Sequence, residues 1–257
     1  MASNPKDNDY IKYLKDRNER NNHPEIDFNI IDKYFREFEE LNTTTTRIYD
    51  LGDFDILIIL KDGTNLTSLS QVKNKDDIIY LSERITNEKF LNNRYYNFTS
   101  LKSAIIHGNV SDIISMHCTF QNCHSLECAY FVGMENTSKL SNMSAAFMGC
   151  TSLSNISFLE RLNVSNVRNF ESTFQGCYSL NDLSALKSWD VSNAENMHAT
   201  FALCSNITSL NGLKSWDVKK VKTMESMFHD CRSLADVSDL SEWRLDNAEN
   251  LFEMFRE

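Results

Sequence analysis

A phenylalanine returns every 27 residues through the second half of this 257-residue chain: Phe120, Phe147, Phe174, Phe201, Phe228 and Phe255. Three residues after the first five stand Cys123, Cys150, Cys177, Cys204 and Cys231; four residues before each Phe comes Met116, Met143, Phe170, Met197, Met224 or Leu251. A strict period of this length means copies of one small unit. Such a unit cannot bury its apolar face alone, so neighbours must stack and share a continuous core. Met197, Phe201 and Cys204 fall at i, i+4 and i+7, which predicts a short helix with its apolar stripe turned inward.

After the cysteine the spacing changes. Leu180, Leu183, Leu186 and Trp189 step by three, then Trp189 to Val191 steps by two, which predicts a loop feeding a short strand. Leu153, Ile156, Leu159, Leu162 and Val164 fill the same columns one unit earlier, and Ile207, Leu210, Leu213, Trp216 and Val218 one unit later. Leu234, Val237, Leu240, Trp243 and Leu245 follow. The expected fold class is α/β, a leucine-rich repeat solenoid of about six units of 25–27 residues, each a short helix, a loop and a short strand. The solenoid is assigned to 91–257, ending in a half-repeat, and 1–90 to an α+β N-terminal capping region. The Phe and Cys columns, with Trp189, Trp216 and Trp243, are expected to be structural core.

The stretches "SLNDLSALKSWDVSNAENMHATFALC" and "SLNGLKSWDVKKVKTMESMFHDC" resemble the BspA-like leucine-rich repeat family, whose units carry a Trp-Asp, a Ser-Asn turn, a Met, a Met-Phe and a Gly-Cys in that order. The resemblance covers about 91–257 and implies a solenoid. It also implies protein binding at a bacterial surface and no defining catalytic residue.

Upstream the clock fades. "NNHPEIDFNIIDKYFREFEELN" places Ile31, Tyr34, Phe35, Phe38 and Leu41 on one face behind Pro24, predicting an amphipathic helix, with an earlier helix from about Tyr10 to Arg20. The apolar run Ile56 to Leu60, bounded by Gly52 and Gly63, predicts a buried strand in a hairpin or the first element of a sheet.

The chain is 41% hydrophobic with 2 prolines and 7 glycines, too apolar for a disordered tail. It has neither a long apolar run nor an apolar signal core near "MASNPKDNDYIKYLKDRNER", so a cytoplasmic address in a bacterial cell is expected. Its abundant Asn, Ile, Lys, Phe and Tyr have AT-rich codons, as in a low-GC bacterium or its phage. Seven cysteines without an export signal point to reduced thiols. A net charge of −10 disfavours direct binding of nucleic acid and favours a basic protein partner.

The acidic residues concentrate towards the end of the chain, where Asp236, Asp239, Glu242, Asp246 and Glu249 cluster. Asn163, Asp190, Asp217 and Arg244 recur in one column beside the inward Trp and form, with that acidic group, the expected partner-binding row. His117, Cys118, Cys123, His124 and Cys128 crowd together, yet they lack the spacing of a zinc knuckle, so no metal site and no cofactor are assigned. No phosphate loop or paired nucleophile and base is present, so no catalytic residue is assigned and the protein is read as a non-enzyme. The expected function is non-catalytic protein–protein binding by an acidic intracellular scaffold, an inhibitor or decoy blocking a basic nucleic-acid-handling protein, for example a phage-derived anti-CRISPR inhibitor. The alternative is a cell-surface or secreted BspA-like adhesin binding host or matrix proteins.

Overall fold

The computed structural model describes residues 56–131 and 136–256. The helices expected before residue 42 lie outside the described residues. The strand expected over 56–60 forms: β1 (Ile56–Leu60) turns back through Gly63 into β2 (Asn65–Leu66), an antiparallel hairpin. Gly63 sits at φ 81, in the left-handed region that suits glycine. β3 (Ile78–Ile85) pairs antiparallel with β1, and β4 (Ser103–Gly108) and β5 (Cys128–Phe131) continue the sheet in parallel, giving the order β2-β1-β3-β4-β5. This sheet has members on both sides of residue 90. Beside it, the Glu83 carboxylate accepts from Arg94 Nε at 2.9 Å and from the Tyr95 hydroxyl at 2.6 Å, so a nearly buried charge is fully paired.

Beyond the sheet the chain winds into coils of 27 residues, linked by single-residue parallel bridges Ser115–Asn142, Asn142–Asn169, Asn169–Asn196, Asn196–Thr223 and Thr223–Asn250. The expected α/β leucine-rich repeat solenoid of helix, loop and strand is not what forms. Among the described residues there is no α-helix, and the strands belong to one mixed open sheet rather than to the repeats.

The segment expected to be a helix shows why. In 169–177 the amides of Phe170, Ser172, Phe174 and Gly176 donate to carbonyls of the next coil, at Asn196, His198, Thr200 and Ala202, over 2.8–2.9 Å. The intervening amides of Thr173, Gln175 and Cys177 donate three residues back, to Phe170, Ser172 and Phe174. An α-helix would send every amide four residues back within its own segment. Here alternate amides are committed outward, so the segment is a chain of tight turns. Two residues per coil must then adopt left-handed backbone: Ser172 (φ 53) and Gly176 (φ 72) here, Ala199 (φ 51) and Leu203 (φ 63) in the next coil. Asparagine helps to start each segment, as where Asn169 Oδ1 accepts from the Glu171 amide at 3.0 Å.

The expected strand after Trp189 is likewise a turn. Asp190 Oδ1 accepts from the Ser192 amide at 3.0 Å and the Val191 carbonyl from the Ala194 amide at 2.8 Å, so no ladder is left to make. Between the two turn regions a short 3-10 helix recurs at Ser157–Leu159, Ser184–Ser188, Asn211–Leu213 and Ser238–Leu240.

The inward columns pack as ladders. Phe120, Phe147, Phe174, Phe201 and Phe228 stack ring over ring with centroids 5.6–5.7 Å apart. Trp189, Trp216 and Trp243 stack at 6.3–6.4 Å, and each indole donates to a carbonyl 30 residues earlier, at Leu159, Leu186 and Leu213. Each column cysteine donates its thiol to a carbonyl of the preceding coil, as from Cys177 to Phe147 and from Cys204 to Phe174. The buried Thr173 and Thr200 hydroxyls bridge coils in the same way. Two expected core residues keep their place in the columns but are less buried than expected: Phe255 is 44% exposed and Trp243 only partly buried. Among the described residues both stack on the preceding coil alone.

Candidate partner-binding surface

Each coil turns the same side chains outward at the same level, so the surface is ruled into rows. Of the residues expected to bind a partner, Asn163, Asp190 and Asp217 build turns. Asn163 is half-buried and its Oδ1 accepts from the Ser165 amide; Asp190 and Asp217 are exposed and cap Ser192 and Lys219 in the same manner. Arg244 is exposed and lies 3.4 Å from Asp246. Because each carboxylate or amide is tied to the backbone two residues on, its position is fixed by the turn rather than by a free rotamer.

The acidic group divides between roles. Asp236 accepts from the Ser238 amide at 2.8 Å and from its hydroxyl, and the backbone bond first among these holds its carboxyl below the ordinary range. Asp182 does the same for Ser184, so this aspartate is a turn builder repeated from coil to coil. Asp239 is half-buried, whereas Glu242, Asp246 and Glu249 are exposed. Glu249 extends a row of alternating sign in which Arg168 meets Glu195 at 3.1 Å and Glu195 meets Lys222 at 2.7 Å. The Lys222 ammonium lowers the Glu195 carboxyl, and Glu195 in turn raises Lys222.

The structure also places the cysteine and histidine group at 117–128. Cys123 is buried and donates to the Tyr95 carbonyl, Cys128 meets Ser103, His117 Nδ1 lies 2.7 Å from Ser144 Oγ, and His124 Nδ1 lies 2.9 Å from the Gly149 carbonyl. Among the described residues no three His, Cys, Asp or Glu side chains converge as metal ligands would. Burial pushes the Cys123 and Cys231 thiols up to about 12, with Cys150, Cys177 and Cys204 raised for the same reason. A thiol held protonated is a poor nucleophile.

Sequence reasoning missed that net charge alternates between successive coils. Residues 169–195 hold four acidic side chains and one lysine, residues 196–222 one aspartate and four lysines, and residues 223–249 seven acidic side chains and two arginines. The signal was legible once charge is counted per period rather than over the chain. It was lost in the total of −10.

What these features define is a repeat protein whose interior is a set of stacked columns and whose surface is a set of fixed rows. Residues 89–209, and again 142–257, match the family described as "Mycoplasma protein of unknown function, DUF285", and the chain belongs to that family. None of the curated proteins matches it. Among solved structures, a leucine rich cell surface protein from Faecalibacterium prausnitzii A2-165 is similar at 14% identity with a TM-score of 0.27. The similarity covers 65% of this chain and 55% of that one, and at that level it bears on neither fold nor function. Among the described residues no helix is long and apolar enough to cross a membrane.

Proposed function

We propose that this protein is a non-catalytic protein-binding scaffold of the BspA-like kind, working at a cell surface. The observation that supports it most is the registered exposed row Asp190, Asp217 and Arg244, carried on turns over an interior that already uses the column thiols, threonines and indoles to join coils. Rigid rows of polar side chains are what repeat proteins offer to partners, since little side-chain freedom is lost on binding. The order of Trp-Asp, Ser-Asn, Met and Phe-Cys motifs, which resembles BspA-like units, supports the same reading.

The intracellular inhibitor of a nucleic-acid-handling protein finds less support. A competitor for a basic groove needs a continuous acidic field. Here the acidic coils are separated by the lysine-rich coil 196–222.

The test is labelling of intact source cells with a membrane-impermeant amine reagent, followed by recovery of partners cross-linked to the wild type and to an Asp190→Lys, Asp217→Lys variant. Labelling before lysis, with partner loss in the variant, is expected. Labelling only after lysis would remove the surface role. Unchanged cross-linking would remove the row.

A further inference from the structure

Five turn segments, 117–124, 144–151, 171–178, 198–205 and 225–232, lie side by side on one face of the stack, joined by amides that reach from each to the next. Their composition is unlike the rest of the chain. They hold no lysine, one arginine, three carboxylates and four of the protein's six histidines: His117, His124, His198 and His229. One row across them reads His117, Ser144, Glu171, His198, Glu225. The coils also place the imidazoles. His117 Nδ1 lies 2.7 Å from Ser144 Oγ, the exposed His124 has its Nδ1 2.9 Å from the Gly149 carbonyl, and the half-buried His198 has its Nδ1 3.8 Å from Glu225.

At neutral pH the face carries −2, from Glu171, Glu225 and Asp230 against Arg232. Each of these carboxylates is already engaged within the chain. Glu171 accepts from Asn196 at 3.2 Å and Glu225 from Asn250 at 2.7 Å, while Asp230 lies 3.4 Å from Arg232 and 3.8 Å from His229 Nε2. The flanking charges cancel: Arg168, Glu195, Lys222 and Glu249 sum to zero in the row beside the face, Arg256 pairs with Glu253 next to His229, and Arg94, one coil before His117, is taken up by Glu83 and Glu88. The histidines therefore decide the sign. An imidazole changes its charge between pH 5 and 8. His229 is left out of the sum, because its Nδ1 is buried without a partner among the described residues and a proton there would be stranded. Protonation of His117, His124 and His198 adds three charges to −2 and turns the face to +1. We infer that this face binds an anionic polymer in mildly acidic surroundings and releases it at neutral pH. This goes beyond the row at Asp190 and Asp217, which lies elsewhere on the coil and contains no histidine.

The probe is dextran sulfate fixed to a sensor surface, whose sulfates stay ionised throughout, so that pH acts on the protein alone. At constant low ionic strength the full chain is expected to bind at least tenfold more tightly at about pH 5.5 than at about pH 7.5. The double variant His124→Gln, His198→Gln should lose most of that gain. Because the whole chain becomes less negative in acid, a charge-matched control is needed: Lys187→Gln, Lys214→Gln removes two exposed cations from the region of the 3-10 helices, away from this face, and should keep the gain. A third variant, His124→Lys, His198→Lys, fixes the charge and is expected to bind at about pH 7.5 as the wild type does at about pH 5.5. Binding that does not strengthen in acid overturns the proposal. So do equal losses in the histidine and lysine doubles, which would trace the effect to net charge, or a His→Lys variant that fails to bind at neutral pH.

Discussion

Replacing Phe174 by Ala removes one ring from the middle of the aromatic ladder. The ring is fully buried, stacked on Phe147 at 5.7 Å and Phe201 at 5.6 Å, with Trp189 at 6.3 Å. Neither neighbour can move into the gap, because each is held by its own coil's bonds to the next. The loss should reach the usual range for a buried Phe, roughly 3–5 kcal/mol including the cavity. For a chain of this size that is a fall in Tm of roughly 6–20 °C. Phe255, in the same column, is 44% exposed and stacks on one side only. It loses far less area and leaves no closed cavity, so its truncation should cost about 1–2 kcal/mol. Thermal unfolding followed by circular dichroism compares the two. Equal losses would show that the column is not a stack whose energy depends on having neighbours on both sides.

Gly212→Ala should destabilise by about 1–3 kcal/mol, because a Cβ there would lie 2.0 Å from the Leu183 carbonyl oxygen of the preceding coil, and backbone must move. A urea midpoint unchanged from wild type would contradict that contact. Trp216→Phe should cost about 1–3 kcal/mol, read in the same assay, since it removes the 3.0 Å indole bond that joins this coil to the Leu186 carbonyl, which keeps only its bond from the Trp189 amide, and leaves a gap in the indole ladder. All seven cysteines are buried, so a thiol reagent should label the native protein at none of them and the denatured chain at seven. The column thiols are raised from an ordinary value of 9.0, to about 12 for Cys123 and Cys231, which fixes the sign of the alkaline response. The folded state favours the protonated thiol, so its stability is complete below about pH 9 and falls as pH rises towards 12. A Tm that holds steady between pH 8 and pH 11 would count against this burial.

The inward columns were legible because burial leaves its mark on composition: Met197, Phe201, Cys204, Leu213 and Trp216 are all at most 5% exposed. The shape of the unit was not. Apolar residues at i, i+4 and i+7 fit a helix face, and they fit equally a run of turns with two left-handed residues that brings the same side chains inward. The discriminating sign lay between them, in the column shared by Asn97, Asn122, Gly149 and Gly176, all at positive φ and of the residue types that favour it. Leu203 and Asp230 in that column blurred the sign. The hairpin around Gly63 was legible from its apolar run and its breaker. β3 to β5 were less so, because their pairing is set by the distant coils they lie beside. For the candidate surface, spacing placed Asp190 and Asp217 in one exposed column. It could not show that the same carboxylates cap turns, since that depends on the local backbone path two residues on.

The most direct measurement is of scalar couplings across hydrogen bonds in the isotope-labelled protein, read from the Phe174 amide. The turn-built coil predicts coupling to the carbonyl carbon of Thr200, which the amide meets at 2.9 Å in the next coil. Coupling instead to the carbonyl of Phe170, four residues back, would mean an α-helix at this position and would contradict the stack described here.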